Sequence, residues 1–224
     1  VDLKNAIVNI EGFQTYLMQE VTVNVTEMFR DPKYFAALRN DVLPYLETFP
    51  RIKLWSAGCS TGEEVYSMAI LLKEAALYDR SFIYGTDING TVLDTAKKAI
   101  YPLKKLKGYT ENFNETGSIN SLSNYYTAMY DAAIINAELR KNILFSLHNL
   151  ATDSIFNEFQ FISCRNVLIY FDIHLQERVF NLLYNSLSEF GFLCLGSKET
   201  LLNHEVMKNF KVINKEFNIY QKIK

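Results

Sequence analysis

The sequence predicts a doubly wound α/β fold with a mostly parallel, seven-stranded sheet. From about residue 51, short runs of β-branched and aromatic residues alternate with amphipathic helical segments, which is typical of parallel strands joined by helical crossovers. Two short apolar runs near the end, at 210–213 and 217–220, are close enough in sequence to pair as an antiparallel hairpin. The sheet is therefore expected to be mixed.

The segment before the sheet is predicted to hold a helix, an extended stretch and a second helix. Apolar residues recur at three- and four-residue steps over 3–17, the spacing of one helix face. Over 21–26 valines alternate with polar residues, which favours an extended chain. Asp31 and Pro32 are typical of an N-cap and a first helical residue, and the helix is expected to stop before Pro44.

The remaining elements alternate along the chain. Each predicted strand is a short β-type run, and each predicted helix carries one apolar face. Gly191 is expected to introduce the last strand before the hairpin. The predicted strands are 52–56, 81–85, 143–147, 159–163 and 192–195, and the predicted helices are 62–77, 89–100 and 173–187.

One segment interrupts the alternation, at about 101–142. It holds a polar stretch and then an aromatic-rich stretch, with two candidate short strands at 132–136 and 138–142. A loop this long inside a compact domain usually has a function or a small fold of its own. We therefore expect a small inserted β-subdomain.

Composition excludes several classes of protein. Among 224 residues, 23 basic side chains face 25 acidic ones, a net charge of −2, which argues against a nucleic-acid partner. No apolar stretch approaches the roughly 18 residues of a membrane helix, so no membrane insertion is expected. Cys59, Cys164 and Cys194 form no C-x-x-C pair, which fits a reducing compartment and predicts a cytoplasmic location. No histidine or cysteine spacing indicates a metal site.

Chemistry is expected at the carboxyl ends of the strands, where open α/β sheets bind their ligands. A turn with Gly58 and Gly62 follows the first strand and opens a helix, so the backbone there allows close approach of a ligand. Asp87 follows the second strand, 25 residues beyond Gly62. An acid at that place can accept hydrogen bonds from both ribose hydroxyls of an adenosine ligand.

The turn departs from the dinucleotide pattern G-x-G-x-x-G. Glu63 and Glu64 follow Gly62 at once, and their charge would repel a pyrophosphate. The pattern instead favours a ligand with positive charge, such as S-adenosylmethionine, which has an adenosine, a sulfonium and an ammonium group and no phosphate. The alternative interpretation of the turn is a tight strand–helix connection whose carboxylates cap the helix. The alternative interpretation of Asp87 is a helix cap.

Six segments, in order along the chain, resemble the chemotaxis receptor methyltransferases, the CheR family of protein-glutamate O-methyltransferases that use S-adenosylmethionine. The resemblance implies a Rossmann-like class I methyltransferase domain over 21–224, with the insertion at about 101–142. It also implies that residues 1–20 are the remnant of a helical N-terminal domain. The matching segments are 24–30, 55–67, 86–88, 148–150, 164–171 and 191–199.

The resemblance also implies roles for single residues. Glu63 and the turn at Gly58 would hold the amino-acid end of the cofactor, and Asp87 would hold its ribose. Arg30 or Arg165 would orient the attacking carboxylate by a two-point contact. The residues implied for cofactor binding are Asn24, Thr26, Arg30, Gly58, Glu63, Asp87, Asn149, Leu150, Arg165 and Asn166, and those implied near the transferred methyl are Arg30, Arg165 and Tyr170.

The implied reaction moves a methyl group from S-adenosylmethionine to glutamate carboxylates of a methyl-accepting chemoreceptor's cytoplasmic domain, leaving S-adenosylhomocysteine. Such a protein is expected to be a monomer without a metal. Two alternatives stay open: a methyltransferase for another acceptor, and a cofactor-binding sensor or scaffold without turnover. A nicotinamide oxidoreductase is disfavoured by the Gly-Glu-Glu turn.

Overall fold

The computed structural model describes most of the chain from residue 25 onward. Most of the predicted helix over 3–17 and most of the extended stretch over 21–26 therefore lie outside the described residues. Described are residues 25–201 and 204–223, together with Asn5, Ala6, Asn9, Ile10, Gly12, Phe13 and Leu17.

Ten strands form in the described part of the chain. They build one large and one small sheet. The strands are β1 Ile52–Ala57, β2 Ser81–Asp87, β3 Ile100–Pro102, β4 Tyr126–Met129, β5 Ala132–Ile135, β6 Ile143–Leu147, β7 Phe159–Cys164, β8 Leu187–Leu195, β9 Phe210–Asn214 and β10 Ile219–Lys222.

The large sheet has the strand order β6-β2-β1-β7-β8-β10-β9. The first five of these strands run parallel, and β10 pairs antiparallel with both β8 and β9. The predicted mostly parallel sheet with a terminal hairpin is therefore confirmed, and the topology is that of a Rossmann-like class I methyltransferase. Because β1 and β7 lie in the middle, their carboxyl ends are surrounded by neighbouring strands.

Apolar side chains cover both faces of the large sheet. Neighbouring residues on one strand, such as Leu54 and Trp55, belong to different core clusters because side chains of a strand alternate between faces. The same split separates Phe161 from Ile162 on β7. Parallel strands buried on both faces need nearly continuous apolar runs, which is why these strands were readable in the sequence.

The helices lie before and between the strands. In the described part of the chain, no helix is long and apolar enough to cross a membrane. Helix α3 connects β1 to β2, and α6 connects β7 to β8. The helices are α1 Pro32–Ala37, α2 Leu43–Leu46, α3 Glu63–Glu74, α4 Gly90–Lys98, α5 Leu106–Glu115 and α6 Ile173–Ser186.

The α-helix that begins at Pro32 ends at Ala37, before Pro44 as predicted, but helical turns continue past the proline. A π-helical turn, Leu38–Val42, joins α1 to α2, and the Leu43 N–H bonds to the Leu38 carbonyl. Pro44 then stands in the first turn of α2, where its missing N–H leaves no helical bond unmade. Asp31 is also not the predicted cap, because its side chain makes no capping bond and its φ is 60°.

The insertion forms a three-stranded antiparallel sheet in the order β3-β5-β4. The predicted strand at 132–136 is β5. The predicted strand at 138–142 was wrong, because Ala137–Leu139 makes a 3₁₀ turn and β5 pairs with β3 and β4 instead. Those partners are short and largely exposed, so their sequences carry little hydrophobic pattern.

Gly191 does not begin a strand as predicted. Strand β8 already begins at Leu187, directly after α6, and Gly191 lies inside it. There the pairing with β7 shifts register, and Phe190 has a φ of 59°. A side chain at Gly191 would lie 3.0 Å from the Ser188 carbonyl oxygen, so the glycine marks a bulge rather than a strand start.

Candidate functional site

A cavity of about 560 Å³ opens at the carboxyl ends of β6, β2, β1 and β7. This is the edge of the sheet where a ligand is expected. Most of the residues singled out from the sequence meet there, although they come from five separate segments. The predicted site residues that line it are Thr26, Arg30, Gly58, Asp87, Asn149, Leu150, Arg165, Asn166 and Tyr170. Asn24 lies outside the described residues, so its role stays a prediction.

The turn after β1 forms the floor of the cavity. The N–H groups of Gly58 and Cys59 both donate to the Thr86 carbonyl, at 2.8 and 2.9 Å, which holds the turn against the end of β2. Gly58 has a φ of +75°, and a Cβ there would lie 2.4 Å from a Val167 methyl. Only glycine meets both conditions, so the turn and the β7 loop close tightly on each other.

Asp87 is buried at the end of β2, and its carboxylate is fixed in orientation. Oδ2 accepts the Ser60 N–H at 2.9 Å, and Oδ1 accepts the Asn89 N–H at 3.0 Å. An ionised carboxylate has about four acceptor sites, so each oxygen can accept one more hydrogen bond. Asn89 caps α4 by accepting the Thr91 N–H, which rules out the alternative that Asp87 is the helix cap.

Glu64, rather than Glu63, lines the cavity. Its Oε1 accepts the Ser56 hydroxyl at 3.0 Å, and its Oε2 lies 3.2 Å from a terminal nitrogen of Arg165. Successive helix residues point about 100° apart, and here the Glu63 side chain points away from the cavity that Glu64 lines. The predicted role of Glu63 at the amino-acid end of the cofactor therefore does not agree with its position.

Glu63 instead fastens the insertion to the start of α3. Its carboxylate accepts hydrogen bonds from the Thr61 hydroxyl at 2.6 Å and the Tyr109 hydroxyl at 3.2 Å, and Lys105 lies 3.8 Å away. The side chain is 1% exposed. Burial raises the pKa of the Glu63 carboxyl, although these donors oppose the rise.

The Arg165 guanidinium is enclosed by the chain itself. Its side chain is 3% exposed, one terminal nitrogen lies 2.5 Å from Asp31, and the other lies 3.2 Å from Glu64. The guanidinium carbon also stacks 3.9 Å from the centre of the Tyr34 ring. Both terminal nitrogens are thus engaged, so the geometry does not favour Arg165 for a two-point contact with an acceptor carboxylate.

Arg30 is better placed for that contact. It is partly exposed at the cavity wall, and its side chain donates to the Val25 carbonyl at 3.2 Å. No carboxylate within residues 25–201 and 204–223 forms an ion pair with it, so a surface salt bridge does not explain this arginine. The neighbouring Phe29 anchors the segment, because its N–H donates to the Ser67 hydroxyl and its ring packs on Phe113.

The other predicted residues lie on two loops. Asn149 organises the loop after β6 by accepting the Ala151 N–H at 2.9 Å, and Leu150 is buried beside it. Asn166 takes a left-handed conformation with a φ of 62° directly after Arg165. Tyr170 is 58% exposed at the rim of the cavity.

Several cavity residues were not among the predicted site residues, although the sequence had singled out Glu64 for its charge. Two of their polar atoms, Ser60 Oγ and His148 Nδ1, are buried and have no hydrogen-bond partner in the described part of the chain. Buried polar atoms are normally satisfied, so this wall suits a ligand that carries hydrogen-bonding groups. The only sequence signal for these two residues was their place, Ser60 in the turn that begins at Gly58 and His148 directly before Asn149. The additional lining residues are Val25, Glu27, Phe35, Cys59, Ser60, Glu64, Ile88, His148, Ala151, Val167 and Phe171.

Comparison with known proteins identifies the relatives of this chain. The family model "CheR methyltransferase, SAM binding domain" matches residues 24–217. The chain is 48% identical over 220 residues to the putative methyltransferase Cher3 of Pseudomonas putida, covering 98% of this chain and 81% of that protein. It is 31% identical to a chemotaxis protein methyltransferase of Listeria monocytogenes, covering 82% and 68% of the two chains. A third relative, a chemotaxis protein methyltransferase of Borreliella burgdorferi, is 32% identical over 83% of this chain and 67% of its own length.

Proposed function

The chain belongs to the CheR methyltransferase family, and from this premise we propose that it transfers a methyl group from S-adenosylmethionine to glutamate side chains of a chemoreceptor's cytoplasmic domain. The observation that carries the proposal is the charge of the cavity wall. Three carboxylates line it, those of Glu27, Glu64 and Asp87, against two arginines, Arg30 and Arg165, and Arg165 also pairs with the carboxylate of Asp31. Such a wall repels phosphates and attracts a ligand with a sulfonium and an ammonium group.

The residues present fit S-adenosylmethionine. Asp87 keeps acceptor capacity for two ribose hydroxyls, and Glu64 offers a carboxylate to an ammonium group. The unpartnered atoms Ser60 Oγ and His148 Nδ1 supply further polar contacts on the same wall. When bound, the cofactor supplies an electrophilic methyl group on a positively charged sulfur.

The protein's own part in the reaction is to hold and orient the reactants. A free glutamate has a pKa of about 4.3, so the acceptor carboxylate is already ionised at neutral pH and needs no general base. Arg30 orients that carboxylate at the cavity mouth. The apolar residues Val167 and Phe171 shield the carboxylate from water, which strengthens its nucleophilicity.

The cysteines take no part in this chemistry. Cys59, Cys164 and Cys194 are free and buried. Burial raises the pKa of the Cys59 and Cys164 thiols well above their ordinary value, and that of Cys194 to about 12, so all three stay protonated and unreactive. Free thiols also fit a reducing cytoplasm, where the cytoplasmic domain of a chemoreceptor lies.

A labelling experiment tests the proposal. The protein is incubated with methyl-tritiated S-adenosylmethionine and a receptor cytoplasmic fragment, and the label released by mild base is counted. We expect base-labile methyl esters, and no label on a matched fragment whose acceptor glutamates are replaced by glutamine. Base-stable label would indicate another acceptor atom. Absence of label, together with measurable binding of S-adenosylhomocysteine, would indicate a sensor or scaffold instead.

A further inference from the structure

One buried carboxylate outside the cavity makes an unusual set of contacts. Glu199 is 5% exposed, and its two oxygens accept four backbone N–H groups. Oε1 accepts from Val167 and Leu168, both at 2.7 Å, and Oε2 accepts from Asn166 at 2.8 Å and Gly196 at 2.6 Å. Hydrogen bonds to an ionised acceptor are short and strong, so this carboxylate fixes the backbone at three consecutive positions.

Those three positions belong to the loop that carries much of the cavity wall. Asn166 and Val167 line the cavity themselves, as do Arg165 before them and Tyr170 after them. The loop follows β7 directly, and it turns at Asn166, which has a φ of 62°, a left-handed conformation that asparagine tolerates better than most residues. The bonds to Glu199 hold the backbone at this turn and over the next two residues.

The loop also sets the width of the cavity. A Val167 methyl would lie 2.4 Å from a Cβ at Gly58, so the β7 loop and the β1 turn are already in closest contact. A turn holds Glu199 in place, because the Glu199 N–H donates to the Gly196 carbonyl at 3.0 Å. The Asn218 side chain also donates to the carbonyls of Gly196 and Glu199. A displacement of the carboxylate is therefore passed directly to the cavity wall.

We propose that Glu199 is a positioning residue for methyl transfer: its carboxylate, bonded to the N–H groups of Asn166, Val167 and Leu168, holds the β7 loop in the conformation that the reaction requires. This inference rests on the proposed function, which supplies the reaction. Three successive N–H groups that converge on one point form an anion-binding concavity. The chain fills that concavity with its own carboxylate, so a neutral side chain of equal size does not replace it.

Two variants disturb these contacts in different ways. Glu199→Gln keeps the size of the side chain but turns an amide NH₂ toward backbone N–H groups. Gly196→Ala keeps the carboxylate and introduces a Cβ 2.6 Å from Glu199 Oε2 and 2.8 Å from the Asn166 nitrogen. Gly196 is not at positive φ, so the second variant adds no left-handed strain of its own.

Matched controls separate positioning from general stability. Glu74 has another buried carboxylate, 4% exposed, and neither it nor its hydrogen-bond donors Arg39, Ser118, Asn120 and Tyr125 line the cavity. Glu74→Gln is thus the control for Glu199→Gln. Gly108→Ala is the control for Gly196→Ala, because a Cβ at Gly108 meets nothing within 4 Å.

The experiment compares kcat at saturating S-adenosylmethionine and receptor fragment with the urea midpoint of each full-length variant, at a temperature where all are folded. We expect Glu199→Gln and Gly196→Ala to lower kcat about tenfold or more, and both controls to stay within about twofold of the wild type. Wild-type kcat in the two Glu199-contact variants would overturn the inference. The inference would also be overturned if Glu74→Gln lost as much kcat as Glu199→Gln when both variants lost the same stability. A wild-type protein that transfers no methyl group would instead overturn the proposed function.

Discussion

A methyl group of Val167 occupies the space where a side chain at Gly58 would begin, 2.4 Å from the ideal Cβ position. The contact joins the turn after β1 to the loop after β7, the two central strands of the large sheet. Both residues line the cavity, so its shape depends on a pair that sequence separates by more than a hundred positions.

Gly58→Ala is expected to reduce both stability and S-adenosylhomocysteine binding. The alanine meets Val167, and the clash costs about 1–3 kcal/mol of unfolding free energy beyond the cost of a positive φ. Gly117→Ala is the matched control, because Gly117 has a φ of +79° and nothing within 4 Å of its Cβ position. Gly117→Ala should lose only about 1–2 kcal/mol of unfolding free energy, and its affinity for S-adenosylhomocysteine should stay unchanged. Urea denaturation and calorimetric titration measure both effects, and the double variant Gly58→Ala/Val167→Ala should recover part of the loss.

Arg165→Met is expected to destabilise the fold strongly, since it leaves Glu64 and Asp31 without their partner. Loss of one member of a buried ion pair costs about 3–5 kcal/mol, and the half-exposed Asp31 reduces this to about 2–4 kcal/mol. Lys73→Met removes the exposed pair with Glu138 and should change stability by less than about 1 kcal/mol. Equal urea midpoints for the two variants would contradict the structural role assigned to Arg165.

Glu63 makes a prediction about pH. Burial raises the pKa of its carboxyl, so between the ordinary glutamate pKa and the raised one the folded state binds more protons than the unfolded state. The unfolding free energy of the wild type should therefore fall relative to Glu63→Gln as pH rises through that window. Urea denaturation at several pH values measures the difference, and a rise with pH would contradict the assignment.

The contribution of Glu74 to the unfolding free energy should change with pH in the opposite direction. Burial alone would raise the pKa of Glu74, but hydrogen bonds from Ser118, Arg39 and Asn120 outweigh burial and lower it. Its stabilising contribution is present above the ordinary glutamate pKa and is lost as pH falls toward the lowered value. The wild type should thus lose stability relative to Glu74→Gln on acidification, in the same denaturation series.

Arg30→Ala is expected to impair the acceptor side of the reaction. Hydrogen bonds to a charged group contribute about 1.5–3 kcal/mol, so kcat/KM for the receptor fragment should fall about 10- to 100-fold. Arg30→Lys keeps the charge but loses the two-point geometry, so its kcat/KM should lie between those of the wild type and Arg30→Ala. Arg178→Ala is the control, because Arg178 likewise donates to one backbone carbonyl, that of Thr152. An Arg30→Ala variant with wild-type kcat/KM would remove Arg30 from the proposed mechanism.

The parts of the fold that follow local rules were predictable from sequence. Buried parallel strands such as β7, predicted over 159–163 and observed at Phe159–Cys164, show as short apolar runs. Asp87 and Gly58 were found because the end of a parallel strand is a defined place in the fold. The positions of such strands and site residues can be predicted because they depend only on nearby sequence and on the general topology of the fold.

The parts that failed depend on contacts distant in sequence. Glu63 and Glu64 are equivalent in the sequence, and only the placement of Tyr109 and Arg165 decides which one faces the cavity. Asp31 has the pattern of a helix cap, yet it pairs with Arg165, 134 positions away. Glu199 ends one of the matching segments, but its local sequence does not indicate its role, since its partners include backbone N–H groups of a loop about 30 positions away.

The most direct test of the whole account is calorimetric titration of S-adenosylhomocysteine into the wild type, Asp87→Ala and Asp94→Ala. Asp94 is exposed on α4 and pairs only weakly with Lys97, at 3.8 Å, so it is a control for loss of one carboxylate near the site. With folding of each variant checked by circular dichroism, we predict binding to the wild type and Asp94→Ala and no measurable binding to Asp87→Ala. Unchanged affinity in a folded Asp87→Ala would contradict the assignment of this cavity as the S-adenosylmethionine site.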